Sequence, residues 1–217
     1  MNTIVVSRLV GSEAGAIAQR LAEALGYDLV DKAILQGTLA QYGLTRFGEL
    51  YTSPPNLWDL ANSKNLQVVS MLNDTMEALA HRGRTVILAR GGYVTLGKYA
   101  DVLNVRIQAP FSVRVERVMA REGIVSQKVA EERVASDDKA RMKFVKGFYN
   151  HNWHDATNFD LVINTGVVSI ETAKGWIAEA ARILGEKEYG ADVQTAQQMK
   201  VDPLLLDAID HALERRV

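Results

Sequence analysis

Thr85-Val86-Ile87-Leu88-Ala89 runs apolar without alternation, and Val102 to Ile107 reads as a second strand of this kind. A strand with one wet face alternates polar and apolar residues. One that does not alternate has both faces covered, as in a parallel sheet held between helices. Ile4-Val5-Val6 and Phe159-Asp160-Leu161-Val162-Ile163 read as further strands, and Tyr27 to Val30 as a short one. Helical spacing intervenes each time. Ala14 to Leu25 carries Ile17, Ala18, Leu21, Ala22 and Leu25 and stops at Gly26, while Lys32 to Tyr42 closes on Gly43. Asn65 to His81 carries Leu66, Val69, Leu72, Met76, Leu79 and Ala80 on one face. A further helix follows Pro110 through Val113, Val118 and Met119, and another spans Ile170 to Leu184. Such alternation predicts an α/β fold, a parallel sheet flanked by helices.

The remaining segments are less regular. Pro54-Pro55 interrupts Leu44 to Asn62, which is expected to be a mobile loop. Glu122 to Asn158 is polar and charged. Beyond Glu186 the chain is charged and then apolar at Leu204, Leu205, Leu206, Ile209 and Leu213. A helix is expected there from Pro203 to Arg216 with Asp202 as its cap. Its stripe of Leu205, Ile209 and Leu213 suits packing back on the domain or pairing in a homodimer. A chain of 217 residues at 47% hydrophobic has the core of one compact domain, placed at 1–185 with a tail at 186–217. The net charge of −1 gives no general attraction to nucleic acid or to an anionic membrane. No apolar run approaches the ~20 residues of a membrane span, and the N-terminus lacks a signal-peptide pattern. The absence of cysteine excludes disulfides and thiolate metal sites and agrees with a cytoplasmic location. His151, His154 and Asp155 form an incomplete ligand set, so no metal site is assigned to protein side chains.

The chain opens as strand, glycine loop, helix, an arrangement that aims backbone N–H groups and the helix dipole at a phosphate. A Walker A loop adds a lysine for the phosphates and a hydroxyl for magnesium. Here the stretch is Val10-Gly11-Ser12-Glu13-Ala14-Gly15-Ala16-Ile17-Ala18. Ala14 stands at the lysine position and Ala16 at the hydroxyl position, while Glu13 adds a carboxylate where phosphate oxygens belong. By itself the loop reads equally as a tight βα turn.

The ordered set of motifs resembles the cytidylate kinase-like family. Ser7-Arg8, Gly11-Ser12 and Ile17-Ala18 match that family's S-R-E-x-G-S-G-G-x-x-I-A, which already lacks the lysine. Leu25-Gly26 through Asp31 resembles its L-G-x-x-x-x-D, and Ile87 through Gly92 its V-I-x-G-R-G-G. Trp153-x-Asp155, Asp160 through Thr165, and Ser169-Ile170-Glu171 resemble its closing motifs. The resemblance spans Thr3 to Leu184.

It implies a P-loop kinase-like three-layer fold with a helical lid at about 122–158. It implies ATP over Arg8, Gly11, Ser12, Glu13, Ala14, Gly15 and Ala16, with magnesium held mainly by the nucleotide phosphates and Arg8 restoring the charge that the loop has lost. The acceptor, a nucleoside monophosphate such as CMP, would lie near Asp31, Arg90 and Asp138. Arg90 and the lid arginines Arg117, Arg133 and Arg141 would carry the transfer. Arg114 and Arg121 read as a solvated, ion-paired face. Glu13 and Ala14 depart from the family's paired glycines, while Gly91 follows the family motif at a position where cytidylate kinase itself has aspartate, which leaves selectivity for cytosine open. Glu13, Ala14 and Ala16 keep open a nucleotide-binding regulatory or interaction protein with weakened catalysis. The resemblance does not fix the acceptor, so a kinase for a small acceptor outside the nucleotides also stays open.

Overall fold

The computed structural model describes residues 2–214. Five strands form one sheet: β1 (Thr3–Arg8), β2 (Asp28–Val30), β3 (Thr85–Ile87), β4 (Val102–Gln108) and β5 (Leu161–Asn164). All neighbours pair in parallel, in the order β2-β3-β1-β4-β5. The helices are α1 (Ala14–Leu25), α2 (Lys32–Gln41), α3 (Phe47–Thr52), α4 (Leu57–Ala61), α5 (Ser63–Arg82), α6 (Gly92–Leu96), α7 (Phe111–Glu122), α8 (Gln127–Tyr149), α9 (Ile170–Gly185) and α10 (Pro203–Glu214).

The period of two along β1 builds the layers. Ile4 and Val6 point to a core made with α1 and α9, and Val5 points to the opposite core, made with α2, α3, α5, α6, α8 and α10. Helix α1, which follows β1, therefore packs on one face, and α6, which follows β3, packs on the other. The crevice where adjacent strands send their helices to opposite faces is where open α/β sheets bind ligands. Here it lies beyond Arg8 and Arg90.

The segment expected as a mobile loop contains α3 and α4. Pro54-Pro55 separates them, and Phe47 and Tyr51 are buried in the core as anchors. The charged segment after Glu122 is mostly one 23-residue helix, α8. Its inward stripe of Val134, Asp138, Arg141, Val145 and Tyr149 mixes apolar and charged residues, which hides the period from a hydrophobicity reading. With α7 it forms a small core of its own around Val10, Val115, Val118, Ala130 and Val134. Helix α10 starts at Pro203, with the Leu204 amide donating to Asp202 Oδ1 at 2.9 Å. Leu205 and Ile209 of its stripe are buried against this chain's own α2 and α5, and Leu213 packs alongside them. Arg215 and Arg216, the end of the expected helix, lie outside the described residues. Among the described residues no helix is long and apolar enough to cross a membrane.

Candidate active site

The loop after β1 has the backbone of a phosphate cradle. Gly11 (φ 75) lets the chain pass so close to α7 that a Cβ there would lie 2.7 Å from the Arg114 carbonyl oxygen. Glu13 sits in the left-handed region (φ 61, ψ 12) immediately before α1, and no side chain caps the helix. The first-turn amides of α1 thus face the cleft with the positive end of the helix dipole. Since α1 begins at Ala14, the residue directly after the lysine position is Gly15. The hydroxyl position falls there, not on Ala16. Ser12 Oγ donates to the Leu9 carbonyl at 2.7 Å. Its hydroxyl serves the turn.

Arg8, the last residue of β1, extends over this turn, with Nη1 3.9 Å from where a Gly15 Cβ would be. Arg8, Gly11 to Ala16, Arg121, Asp137 and Arg141 line a cleft of about 420 Å³. Arg8 and Arg141 also line a small inner void of about 10 Å³, shared with Arg90, Gly91 and Trp153. The two spaces meet at Arg8 and Arg141.

Arg90, 7% exposed, follows the buried end of β3. Its Nε and Nη1 are buried and donate to no protein atom, and the same holds for Arg141 Nε. Tyr51 and Phe144 flank the Arg90 guanidinium, with Cζ 4.9 Å and 5.9 Å from the ring centroids. Burial, and next the charge of Arg141, push both Arg8 and Arg90 down to about 10. Both remain cationic at neutral pH. The neighbouring arginines that do hold ion pairs are others: Arg114 with Asp138, Arg121 with Glu122, and Arg133 with Glu122 and Asp137. Three guanidiniums thus converge, and two of them, Arg90 and Arg141, have buried donors directed at no protein acceptor, an arrangement chemically suited to an anion.

The remaining expected site residues have partners within the protein. Arg117 donates to Thr165 O at 2.8 Å, to Thr165 Oγ1 at 3.1 Å and to Gly11 O at 3.4 Å. It braces the loop from behind and does not line the cleft. Arg133 is half exposed on the outer face of α8, in its ion pairs with Glu122 and Asp137. Asp138 accepts from the Val10 amide at 3.2 Å and from Arg114 Nη1 at 2.7 Å, tying α8 to the loop. Asp31 accepts from the Ala33 and Ile34 amides as the N-cap of α2. Arg114, expected in solvent, is buried: its guanidinium also donates to Ala109 O and Val10 O, both at 3.0 Å. Arg121, expected on the same solvated face, is half exposed and paired with Glu122 as expected, and it also lines the cleft.

Two supports carry no sign of a site role in the sequence. Tyr51 falls in the segment expected to be a loop, and its hydroxyl accepts the Arg90 amide at 2.6 Å. Tyr149 lies over Gly91 (φ 74), where a Cβ would come within 2.5 Å of the ring, so an aspartate at 91 has no room. Trp153 is held by Arg106, which donates to its carbonyl at 2.5 Å and stacks 4.6 Å from its ring. Among the described residues no group of three His, Asp or Glu could hold a metal.

Similarity to known proteins covers the same stretch as the cleft. The model of the cytidylate kinase-like family matches residues 3–167. A cytidylate kinase of Ignicoccus hospitalis is 29% identical over 174 residues, 79% of this chain and 94% of that protein. A uronate isomerase of Corynebacterium glutamicum is 33% identical over 126 residues, 56% of this chain, and the match spans only 24% of that protein's length. Among solved structures, an uncharacterized protein from Eubacterium ventriosum superposes with a TM-score of 0.69 at 24% identity, over 84% of this chain and 98% of that one. The last is a likeness of fold alone.

Proposed function

The chain belongs to the cytidylate kinase-like family, and on that premise we propose that it transfers a phosphoryl group from ATP to a small acceptor, a nucleoside monophosphate such as CMP. The observation that carries this reading is the meeting of Arg8, Arg90 and Arg141 at the sheet's crevice, with buried donors of Arg90 and Arg141 unused by the protein. Phosphoryl transfer asks for positioning and for positive charge on the equatorial oxygens, with little covalent chemistry from the protein.

The residues present suit a nucleotide's phosphates. The open first turn of α1 and Arg8 would hold the triphosphate, with Arg8 supplying the cation that Ala14 does not. Arg90 would hold the acceptor's phosphate. Arg141, shared by both spaces, would bridge them and stabilise charge as the bond to the leaving phosphate breaks and the acceptor oxygen takes the phosphoryl group. The loop offers magnesium no hydroxyl, since Gly15 follows Ala14 and Ser12 Oγ is bound to Leu9. The ion would therefore be held by the nucleotide's own oxygens. The inner void of about 10 Å³ is water-sized, so acceptor entry requires its lining, which includes Arg141 and Val145 of α8, to move aside.

Glu13 and Ala14 favour a second reading, a nucleotide-binding regulatory protein of the same fold with weakened turnover. A third, a kinase for a small acceptor outside the nucleotides, differs only in what reaches Arg90. Purified protein with ATP and magnesium, assayed for ADP release against nucleoside monophosphates and small alcohols, separates them. The first reading expects release with a monophosphate and a fall of about 100-fold or more in kcat for Arg141→Met. No release with any acceptor, while ATP still raises the melting temperature, supports the regulatory reading. Release with an alcohol alone supports the third.

A further inference from the structure

Arg90 poses an electrostatic problem that its surroundings relieve in part, with no carboxylate on its buried donors and Asp137 acting only from a distance. A cation 7% exposed ordinarily has an acidic partner, because desolvating an unpaired charge costs several kcal/mol. A carboxylate here would occupy the Nε and Nη1 donors, and those donors are unoccupied. The groups that do touch Arg90 are aromatic. The Tyr51 ring lies 4.9 Å and the Phe144 ring 5.9 Å from Cζ, and Tyr51 Oη also takes the Arg90 amide at 2.6 Å. The two rings pack edge-on at 5.7 Å, and the Phe47 ring lies 4.8 Å from that of Tyr51 in the same core. A ring face attracts the guanidinium through its quadrupole while leaving every N–H available. Tyr51 further joins this contact to the backbone at the start of the Gly91 turn, which fixes where the guanidinium emerges from β3.

We propose that Tyr51 is the positioning residue for Arg90, holding its guanidinium charged and oriented by its ring face and backbone hydrogen bond so that Nε–H and Nη1–H stay open to an anionic acceptor group. The inference rests on the phosphotransferase reading for the identity of the acceptor, and not for the contact itself. Tyr51 lies on α3 and is buried in the main core, so the seating of that helix sets where the ring meets Arg90.

The test separates the ring, the hydroxyl and general packing. Tyr51→Phe keeps the ring and removes the hydroxyl, Tyr51→Leu removes both, and Phe47→Leu perturbs the adjacent core without touching Arg90. The first readout is the Arg90 Nε–H resonance, followed by heteronuclear NMR during titration with inorganic phosphate. In the native protein the resonance is shifted by ring current and moves with phosphate. Tyr51→Phe keeps the ring-current shift, and its midpoint rises by less than in Tyr51→Leu because only the backbone hydrogen bond is lost. In Tyr51→Leu the ring-current shift falls and the phosphate midpoint rises by about tenfold, the scale of one desolvated cation–π contact. Phe47→Leu keeps the native midpoint. The second readout, on turnover, expects Tyr51→Leu to raise the KM for the acceptor by a similar factor with the KM for ATP unchanged. An unchanged midpoint in Tyr51→Leu, an equal rise in Phe47→Leu, or no phosphate response in the native protein would each overturn the proposal. Absence of turnover with the NMR response intact refutes the kinase reading and leaves the Tyr51 assignment supported.

Discussion

Glu13 occupies a conformation (φ 61, ψ 12) that glycine reaches freely and that costs other L-residues roughly 1–2 kcal/mol. The backbone of the phosphate loop is thus retained although its side chain adds strain and a carboxylate. Glu13→Gly is expected to stabilise the fold by about 1 kcal/mol in denaturant unfolding and to tighten ATP binding. Glu13→Gln, which removes only the charge, recovers the affinity without the stability. Arg90 is strained electrostatically. A base whose folded pKa is about 10, below its unfolded 12.5, costs the folded state stability while it is charged. That cost is full below about pH 10 and fades as pH rises from there toward 12.5. Arg90→Met should accordingly raise stability at pH 7 by roughly 1–3 kcal/mol while abolishing turnover, with the gain shrinking above pH 10. Thermal melts across pH measure it. A loss of stability at pH 7 would refute the electrostatic account.

At the scale of elements, α8 joins the two ends of the site. Its outer half makes a small core with α7, its inner half enters the main core through Phe144 and Val145, and Arg141 and Asp138 lie between. Asp138 pairs with Arg114, whose side chain is buried, and accepts the Val10 amide of the loop. Asp138→Ala should destabilise by roughly 3–5 kcal/mol, since it leaves the Arg114 charge buried and uncompensated. Exchanging both partners for apolar residues should recover most of that loss, and urea unfolding of the single and double variants tests the pair. The sheet was legible from residues such as Val86-Ile87-Leu88, because uninterrupted apolar runs admit few structures. Helix α1 was legible residue for residue. Helix α8 was not, because its inward stripe carries Asp138 and Arg141, so charge marks the buried face. Helix α3 was obscured by Pro54-Pro55, although Phe47 and Tyr51 just upstream had the burial signal.

For the whole molecule, the tail after α9 is part of the domain. Helix α10 buries Leu205 and Ile209 against α2 and α5, Gln41 Nε2 donates to Ala208 O, and Arg82 bridges Asp28 and Asp210. Ile209→Ala should cost roughly 2–5 kcal/mol and lower the cooperative melt of the entire protein, with no separate early transition for the tail.

The sequence alone determined the parallel α/β sheet, the strand–loop–helix opening and Arg8 and Arg90 at strand ends, because side-chain period and strand termini are local properties of the chain. Tertiary structure decided which arginines face the cleft. Arg117 and Arg114 turn to backbone carbonyls, and Arg133 turns outward to Glu122 and Asp137. Arg90 and Arg141 are left with donors that the fold does not use, and Arg8 meets Arg141 at the cleft. The difference between a bracing arginine and one open to a ligand is the presence of a protein acceptor within hydrogen-bond reach, and that depends on elements far apart in the chain.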